Sequence, residues 1–315
     1  MFRISIIVPC YNHALFLRQR MDSILNQTFN NFEIILLDDF STDGSWEILK
    51  EFEYHPKVSH CIRNKSNSGS PFRQWKKGID LAQNEWIWIA ESDDFSDLNF
   101  LKNILKFIKD KDVGFLYCQS NDVDFNGRII ENRIHWTDDF KPNIWTDNWV
   151  IPGKYFIEKY LCYKNVIPNA SACLFRKSLV KKQFWDVILN FSFCGDWYLW
   201  ILILKDVNIG FLSLSNNYFR NHSSVSRNHN DLSKKRKRIY EEYLILIFIK
   251  SNFQLNNSTF LSLQKKWFSL FSFLDIFSKN ELFNLNIYKN RFLLILNFTK
   301  FKIGRLVGKF SQNRS

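Results

Sequence analysis

The sequence predicts an α/β protein: a mostly parallel sheet flanked by helices, followed by a helical extension. Three observations carry this expectation. Four short apolar runs, residues 3–9, 32–37, 58–62 and 85–90, are bounded by polar turn residues and read as buried strands. Segments with helical spacing separate them, and this strand–helix alternation implies right-handed crossovers and parallel strands. Beyond residue 231 the pattern changes to aromatic amphipathic helices bearing many cations.

Each element has its own local reason. The first strand (RISIIVP) is β-branched and closes at Pro9. Residues 13–26 place Leu17, Met21, Ile24 and Leu25 on one helical face. The second strand ends in Asp38-Asp39, and the turn Ser41-Thr42-Asp43-Gly44 supplies N-cap residues for a helix over 45–52. Residues 58–62 form a third strand. A polar loop, 64–70, precedes a helix over 71–83 that begins with proline. The fourth strand, 85–90, runs into Glu91-Ser92-Asp93-Asp94.

After a helix over 98–109 the pattern loosens. Strands are expected at 113–119, 171–176 and 207–215, and helices at 153–162 and 197–205. Residues 121–134 read as a hairpin turning at Asn126-Gly127, and 136–152 as a Trp- and Asp-rich loop. The polar segment 218–231 leads to the basic run Lys234-Lys235-Arg236-Lys237-Arg238. Helices over 239–252 and 258–278 and a basic tail ending in Arg314 and Ser315 follow. The expected domains are 1–226 and 227–315.

Composition narrows the class. The chain has 315 residues, 46% hydrophobic, with Phe 32 and Trp 11 but only Gly 10 and Pro 6. This is a globular chain with a sizeable core. Its formal net charge of +12 favours anionic partners. Six cysteines (Cys10, Cys61, Cys118, Cys162, Cys173, Cys194) show neither zinc-site spacing nor a disulfide framework, so a reducing compartment is expected. Cys10, Cys118 and Cys173 read as small buried hydrophobes. No secretory signal pattern opens the chain, and the longest apolar run, 243–249, is too short to span a bilayer. The expected location is the cytoplasm.

Chemistry concentrates where strands end. Glu91, Asp93 and Asp94 crowd one such point, and carboxylates so close repel unless a cation joins them; oxygen ligands suit Mg²⁺ or Mn²⁺. Asp38-Asp39 stands at another strand end of the same sheet, where open parallel sheets bind ligands. An aspartate there accepts a hydrogen bond from an imide N–H such as uracil presents. Capping of the adjacent turns is the alternative role for both clusters.

These segments together resemble the inverting family-two glycosyltransferases of the GT-A type. Ser5 to Asn12 (SIIVPCYN), Asp38 to Ser45 (DDFSTDGS) and Glu91-Ser92-Asp93-Asp94 carry the likeness, which runs in order over about residues 4 to 95. The family usually has Gly where Phe40 stands and Asp where Glu91 stands. The departures suggest a turn without positive φ at Phe40, and leave metal ligation to Asp93 and Asp94. Asn67-Ser68-Gly69 and Arg73-Gln74 resemble the donor-side loop and helix.

The resemblance implies roles for particular residues. Pro9, Tyr11, Asn12, Asp38, Asp39, Asn67, Gly69, Arg73, Ser92 and Asp93 would face the nucleotide-sugar donor, with Asp38 on the base. Lys77, one helical turn beyond Arg73, adds charge nearby or is merely solvated. Asp93 and Asp94 would hold Mg²⁺ or Mn²⁺, with His222 as a third ligand or an arm to the phosphate. Asp196, in the stretch Gly195 to Trp200 (GDWYLW), resembles the general base that deprotonates the acceptor hydroxyl; a helix N-cap is its structural alternative. Asn169 to Ala172 resembles the acceptor-side strand, and residues 218–226 the loop closing over the diphosphate.

The implied function is inverting transfer from a nucleotide sugar, with UDP-sugar expected, to a saccharide or lipid-linked saccharide acceptor in surface polysaccharide synthesis. Two alternatives stay open: a metal-dependent nucleotidyltransferase, or an inactive nucleotide-sugar-binding module. A nucleotidyltransferase would usually show a glycine-rich loop after its first strand, and residues 10–20 contain no glycine. The run 234–238 suggests an anionic membrane surface rather than nucleic acid, since no nucleic-acid module accompanies it.

Overall fold

The computed structural model describes residues 2–108, 112–222, 231–278, 280–285 and 290–312. The chain divides into two compact units, residues 1–225 and 226–315.

The first unit begins with the expected alternation. Strands β1 (Ile4–Cys10), β2 (Phe32–Asp38), β3 (Val58–Arg63) and β4 (Trp86–Ile89) are joined by α1 (Ala14–Leu25), α2 (Ser45–Glu51) and α3 (Pro71–Leu81). All four strands run parallel, in the order β3-β2-β1-β4. β1 and β4 are buried throughout, which is why they read as unbroken apolar runs rather than alternating ones. Gly78 lets α3 lie directly on β1: a Cβ there would come 2.3 Å from Ile7 Cγ2.

Then come β5 (Phe95–Ser96), α4 (Phe100–Leu105), β6 (Val113–Val123), β7 (Ile129–Asn132), β8 (Trp149–Pro152), α5 (Gly153–Phe156), β9 (Cys173–Arg176), α6 (Trp185–Ile188), α7 (Gly195–Leu204) and β10 (Asn208–Arg220). The sheet continues β4-β9-β6-β10-β5, with β7 on β6 and β8 on β10. β6 and β10 are parallel to each other, whereas β9, β5, β7 and β8 run antiparallel to their neighbours. The sheet is therefore mixed and mostly parallel. The expected hairpin is β6–β7, with Gly127 at φ +83° in its turn.

Several expectations need correction. The helix expected over 98–109 ends at Leu105, and residue 109 lies outside the described residues. β6 and β10 outrun their expected ends, because buried polar pairs such as Asn217 Nδ2 on Ser120 Oγ (2.9 Å) satisfy side chains that read as loop. Residues 149–152, expected as loop, form β8 along β10. The helix expected over 153–162 passes from α5 into a wider π turn over Ile157–Leu161.

In the second unit, α8 (Leu232–Asn252) starts ahead of the expected 239 because Asp231 caps it, accepting from Ser233 N. The basic run is thus helical and only partly solvated. Arg236 packs 4.1 Å over the Phe271 ring and donates to Glu281 and the Leu270 carbonyl, while Lys234, Lys235 and Lys237 are exposed. The helix expected over 258–278 splits into α9 (Asn257–Ser269) and α10 (Asp275–Ser278), where Asp275 accepts from Ser272 N. Residues expected as a basic tail form α11 (Arg291–Gln312); Arg314 and Ser315 lie outside the described residues.

Candidate functional site

β2, β1 and β4 end side by side: Cys10 lies opposite Asp38, and Ala90 N donates to the Ile7 carbonyl. Between the strand ends sits the Cys10 thiol, whose pKa burial pushes up to about 12 and which touches Ser45 and Ser92. It is the small buried hydrophobe expected, and it bridges the Asp38 side of the site to the Asp93 side.

At the end of β2, Asp38 is fully buried. Its Oδ2 accepts from Ser41 N (3.0 Å) and lies 3.3 Å from Arg63 Nε, while its Oδ1 has no hydrogen-bond partner among the described residues. A buried carboxylate oxygen left without a donor is costly, and an N–H donor beside it would relieve that cost. Pro9 is buried beside it on β1, and Tyr11 and Phe40 are 44% and 41% exposed at the rim. The adjacent turn is capped by Asp38 rather than Asp39, which instead accepts from Asn64 Nδ2, Ser68 N, Ser68 Oγ and Gln74 Nε2. Asp39 thereby shapes the loop that carries Asn67 and Gly69, where Asn67 Oδ1 accepts from Gly69 N and Gly69 takes φ +70°. Arg73 is exposed on α3, and Lys77 Nζ donates to Asn64 Oδ1.

The expectation of an ordinary turn at Phe40 is overturned: its φ is +66°. Such backbone costs about 1–3 kcal/mol for a bulky residue. Asp39 N to the Cys10 carbonyl (2.8 Å) and Ser41 N to Asp38 Oδ2 (3.0 Å) fix the chain on either side, and the Arg63 guanidinium covers the ring at 5.3 Å. Asn12, also left-handed at φ 56°, ties the two strand ends together through Ser41 Oγ and Thr42 N.

Past β4 the acidic residues part company. Asp93 Oδ2 lies 3.0 Å from His222 Nε2, and one ligand atom each of His13, Asp93 and His222 lie within 4.8 Å of one another. Burial pushes the Asp93 carboxyl up, but the His222 hydrogen bond and the charges of His13 and His222 outweigh it and hold it below the ordinary carboxylate range. Asp94, expected as a fellow ligand, turns the other way. Its Oδ1 accepts from Arg220 N (3.0 Å) and its Oδ2 from Asn169 Nδ2, and burial followed by the Asp93 charge pushes its pKa up. β4 ends at Ile89, and the pair stands on a turn closed by Asp94 N on the Glu91 carbonyl (3.2 Å), which sends Asp93 to His222 and Asp94 to Arg220 and Asn169. Glu91 accepts from Trp75 Nε1 (2.7 Å), and its pKa is driven up to about 8 by burial and then by Asp93.

Both expected residues and others, His13, Arg20 and Arg220 among them, hold this cluster. Ser92 Oγ, expected on the donor side, bonds His13 Nδ1 at 2.8 Å. Arg20 is fully buried, donating to the Glu91 carbonyl and to Ser171 Oγ. Arg220 donates to the carbonyls of Asp93, Asp124 and Phe125 and to Gln19 Oε1. Asn169 and Ser171, expected on the acceptor side, instead brace the acidic strand end. Arg20 was detectable: it shares a helical face with Leu17, Met21 and Ile24, where a charge is out of place. His13 carried no such signal.

Asp196 stands in the first turn of α7, whose N-cap position is Cys194, so Asp196 is not the cap residue. Asn165 Nδ2 donates to Asp196 Oδ2 at 3.0 Å, and the Trp136 indole N–H donates to the Asn165 carbonyl at 2.9 Å. Of the expected closing loop, residues 218–222 are seen and 223–226 lie outside the described residues.

The fold is that of the GT-A glycosyltransferases. S. aureus TarS residues 1–349, in a structure with UDP-GlcNAc, superimposes with a TM-score of 0.59 at 18% identity, covering 94% of this chain and 79% of that one. The mannosyltransferase PcManGT of Pyrobaculum calidifontis, in a structure with GDP-Man and Mn²⁺, gives 0.51 at 15% identity over 90% of this chain and 72% of that one. The family model "Glycosyl transferase family 2" matches residues 5–184, more than half of the chain, and the chain belongs to that family. Glycosyltransferase GlyG of Streptococcus pneumoniae serotype 4 is 37% identical over 110 residues, 35% of this chain and 36% of GlyG. The putative teichuronic acid biosynthesis glycosyltransferase TuaG of Bacillus subtilis is 27% identical over 132 residues, 42% of this chain and 52% of TuaG. The chain thus spans between a third and about half of these two relatives.

Proposed function

We propose that the protein transfers a sugar from a nucleotide sugar, a UDP-sugar by preference, to a hydroxyl of a saccharide or lipid-linked saccharide during surface polysaccharide synthesis, with inversion. The observation that supports this most is the juxtaposition of the His13–Asp93–His222 cluster with the unpartnered Asp38 Oδ1 at neighbouring strand ends. The imide N–H of uracil fits that oxygen. UDP and UDP-GlcNAc in the TarS structures support the same choice.

One ionised carboxylate and two imidazoles form a mixed N/O donor set. It suits Mn²⁺ better than Mg²⁺, which prefers an all-oxygen shell. His13, Asp93 and His222 would hold the ion, and when bound it supplies positive charge to the departing diphosphate. Asp94 braces Asn169 and the Arg220 main chain instead. Asp196 takes the acceptor hydroxyl proton on its carboxylate. The freed oxygen attacks the anomeric carbon from the face opposite the diphosphate; the C1–O bond breaks and its electron pair leaves with the nucleoside diphosphate. Asn165 Nδ2 holds one Asp196 oxygen in place.

We also infer a cytoplasmic enzyme held peripherally at the inner face of the plasma membrane. No helix among the described residues is long and apolar enough to cross a membrane. Donor hydrolysis measured across UDP-, GDP- and dTDP-sugars, with Mn²⁺ or with EDTA, tests the transfer reading. Turnover of UDP-sugars alone, abolished by EDTA, is expected. No hydrolysis of any donor would favour an inactive binding module.

A further inference from the structure

The net positive charge of this chain comes from its second unit. Residues 1–225 carry 26 Lys and Arg against 26 Asp and Glu, and so balance. Residues 226–315 carry 17 against 5, which is the whole surplus of +12. Yet the same unit exposes large apolar side chains in one turn. Phe273, Leu274 and Phe277, spanning the end of the α9–α10 connection and α10, are 46%, 73% and 83% exposed. Single exposed apolar residues are ordinary; three in five positions form a patch that water disfavours.

Cations surround the base of that turn. Lys302 of α11 donates its ammonium to the Phe271 carbonyl, and Arg236 of α8 lies over the Phe271 ring and donates to the Leu270 carbonyl. Arg305 follows, exposed, one turn beyond Lys302 on α11. The core beneath is well filled: Trp267, Phe268, Phe271 and Phe298 are each no more than 3% exposed. The outward residues are therefore not core side chains lacking a pocket.

We propose that the second unit is a membrane-docking module. Its α9–α10 turn inserts Phe273, Leu274 and Phe277 at the headgroup–acyl boundary of an anionic bilayer, while the surrounding cations contact lipid phosphates. A bilayer of this kind takes both halves of the pattern, apolar insertion and cation attraction. A nucleic acid would use the cations and could stack on the two phenylalanines, but it offers nothing to Leu274, the aliphatic residue between them. The inference deepens the peripheral-membrane reading above and does not depend on the transfer chemistry.

The test is co-sedimentation of the full chain with vesicles of phosphatidylcholine alone, or of equal parts phosphatidylcholine and phosphatidylglycerol. Wild type should sediment with the anionic vesicles only. The variant Leu274→Glu with Phe277→Glu, changed at exposed positions, should lose at least about tenfold in partitioning, and the loss should persist at high salt. The exposed trio Lys234→Gln, Lys235→Gln and Lys237→Gln should lose on the order of a hundredfold at low salt and little at high salt. Any of three results overturns the proposal: equal binding to both vesicle types, a glutamate pair that binds like wild type, or a glutamate pair that weakens poly(U) binding or self-association instead. Donor hydrolysis without vesicles, measured on the same preparations, should not change. Its absence in wild type would count against the transfer reading and leave the lipid result standing.

Discussion

Replacing Asp38 with Asn tests the base pocket at a single atom. The side chain keeps its size, and its orientation is dictated from inside. Ser41 N donates to Oδ2 at 3.0 Å and Arg63 Nε lies 3.3 Å away, so the amide oxygen must take that place. The amide nitrogen then replaces Oδ1, the oxygen without a partner. A uracil imide N–H would meet a donor where it had met a carboxylate. A hydrogen bond to a charged group contributes about 1.5–3 kcal/mol, so UDP should bind about 10- to 150-fold more weakly. Cytosine, whose N3 accepts, should lose less or gain. Calorimetric titration of UDP and CDP into wild type and Asp38→Asn, with Mn²⁺ present, reads both changes. If UDP affinity stays within about twofold and the UDP/CDP ratio is unmoved, less than 0.5 kcal/mol is at stake and Asp38 does not contact the base.

Other perturbations address the rest of the site. Asp196→Asn should cut transfer by about 10²- to 10⁴-fold while leaving UDP affinity intact; near-normal kcat in a folded variant would remove it from the mechanism. His13→Ala and His222→Ala should each raise the Mn²⁺ concentration needed for half-maximal hydrolysis, whereas Asp94→Asn should act chiefly on thermal stability; a Mn²⁺ titration curve unchanged in both histidine variants would dissolve the proposed ligand set. Glu91 gives a pH signature in EDTA. The folded protein keeps the Glu91 proton up to about 8 whereas the unfolded chain releases it near the ordinary carboxyl value of 4.5, so this group's contribution is full below 4.5 and is lost as pH rises through 8. Glu91→Gln, which mimics the protonated form, should flatten the decline in Tm across that window, and an unaltered decline would show that Glu91 is not its source. Gly78→Ala should destabilise the fold by about 1–3 kcal/mol through overpacking against Ile7, read by denaturant unfolding.

The first four strands and three helices were legible because their signals are local. Buried parallel strands leave unbroken apolar runs, and Pro71 and the Ser41–Gly44 turn punctuate the helices. The second half of the sheet was harder, because its polar residues are paid for at long range. Asn217 looks like loop until Ser120 and Asn169 stand beside it. Residues 149–152 sit in a Trp- and Asp-rich stretch without local strand signal and become β8 only by pairing with β10, where Pro152 is tolerated at the strand's end. In the site, the strand end was visible but not which carboxylate faced outward: Asp93 and Asp94 are neighbours of identical type, and only the arrival of His222 and Arg220 distinguishes them. The left-handed Phe40 was missed for a similar reason, since its strain is offset by contacts with Cys10 and Arg63 from other segments.

The position of β10 has a consequence for how the enzyme comes into being. The recognisable family segment ends at residue 184, but β10 starts at Asn208 and lies within the sheet, between β6 and β5. A fragment cut at 184 would leave β5 and β8 without the strand they pair with, and Asp94 without the Arg220 main-chain donor 126 residues away. Closing so long a loop is slow relative to local pairing. During synthesis, then, the β1–β4 half, with Asp38 in place, has time to form while the Asp93 side stays open. Donor binding should appear abruptly, as residues 208–222 leave the ribosome, rather than grow with chain length.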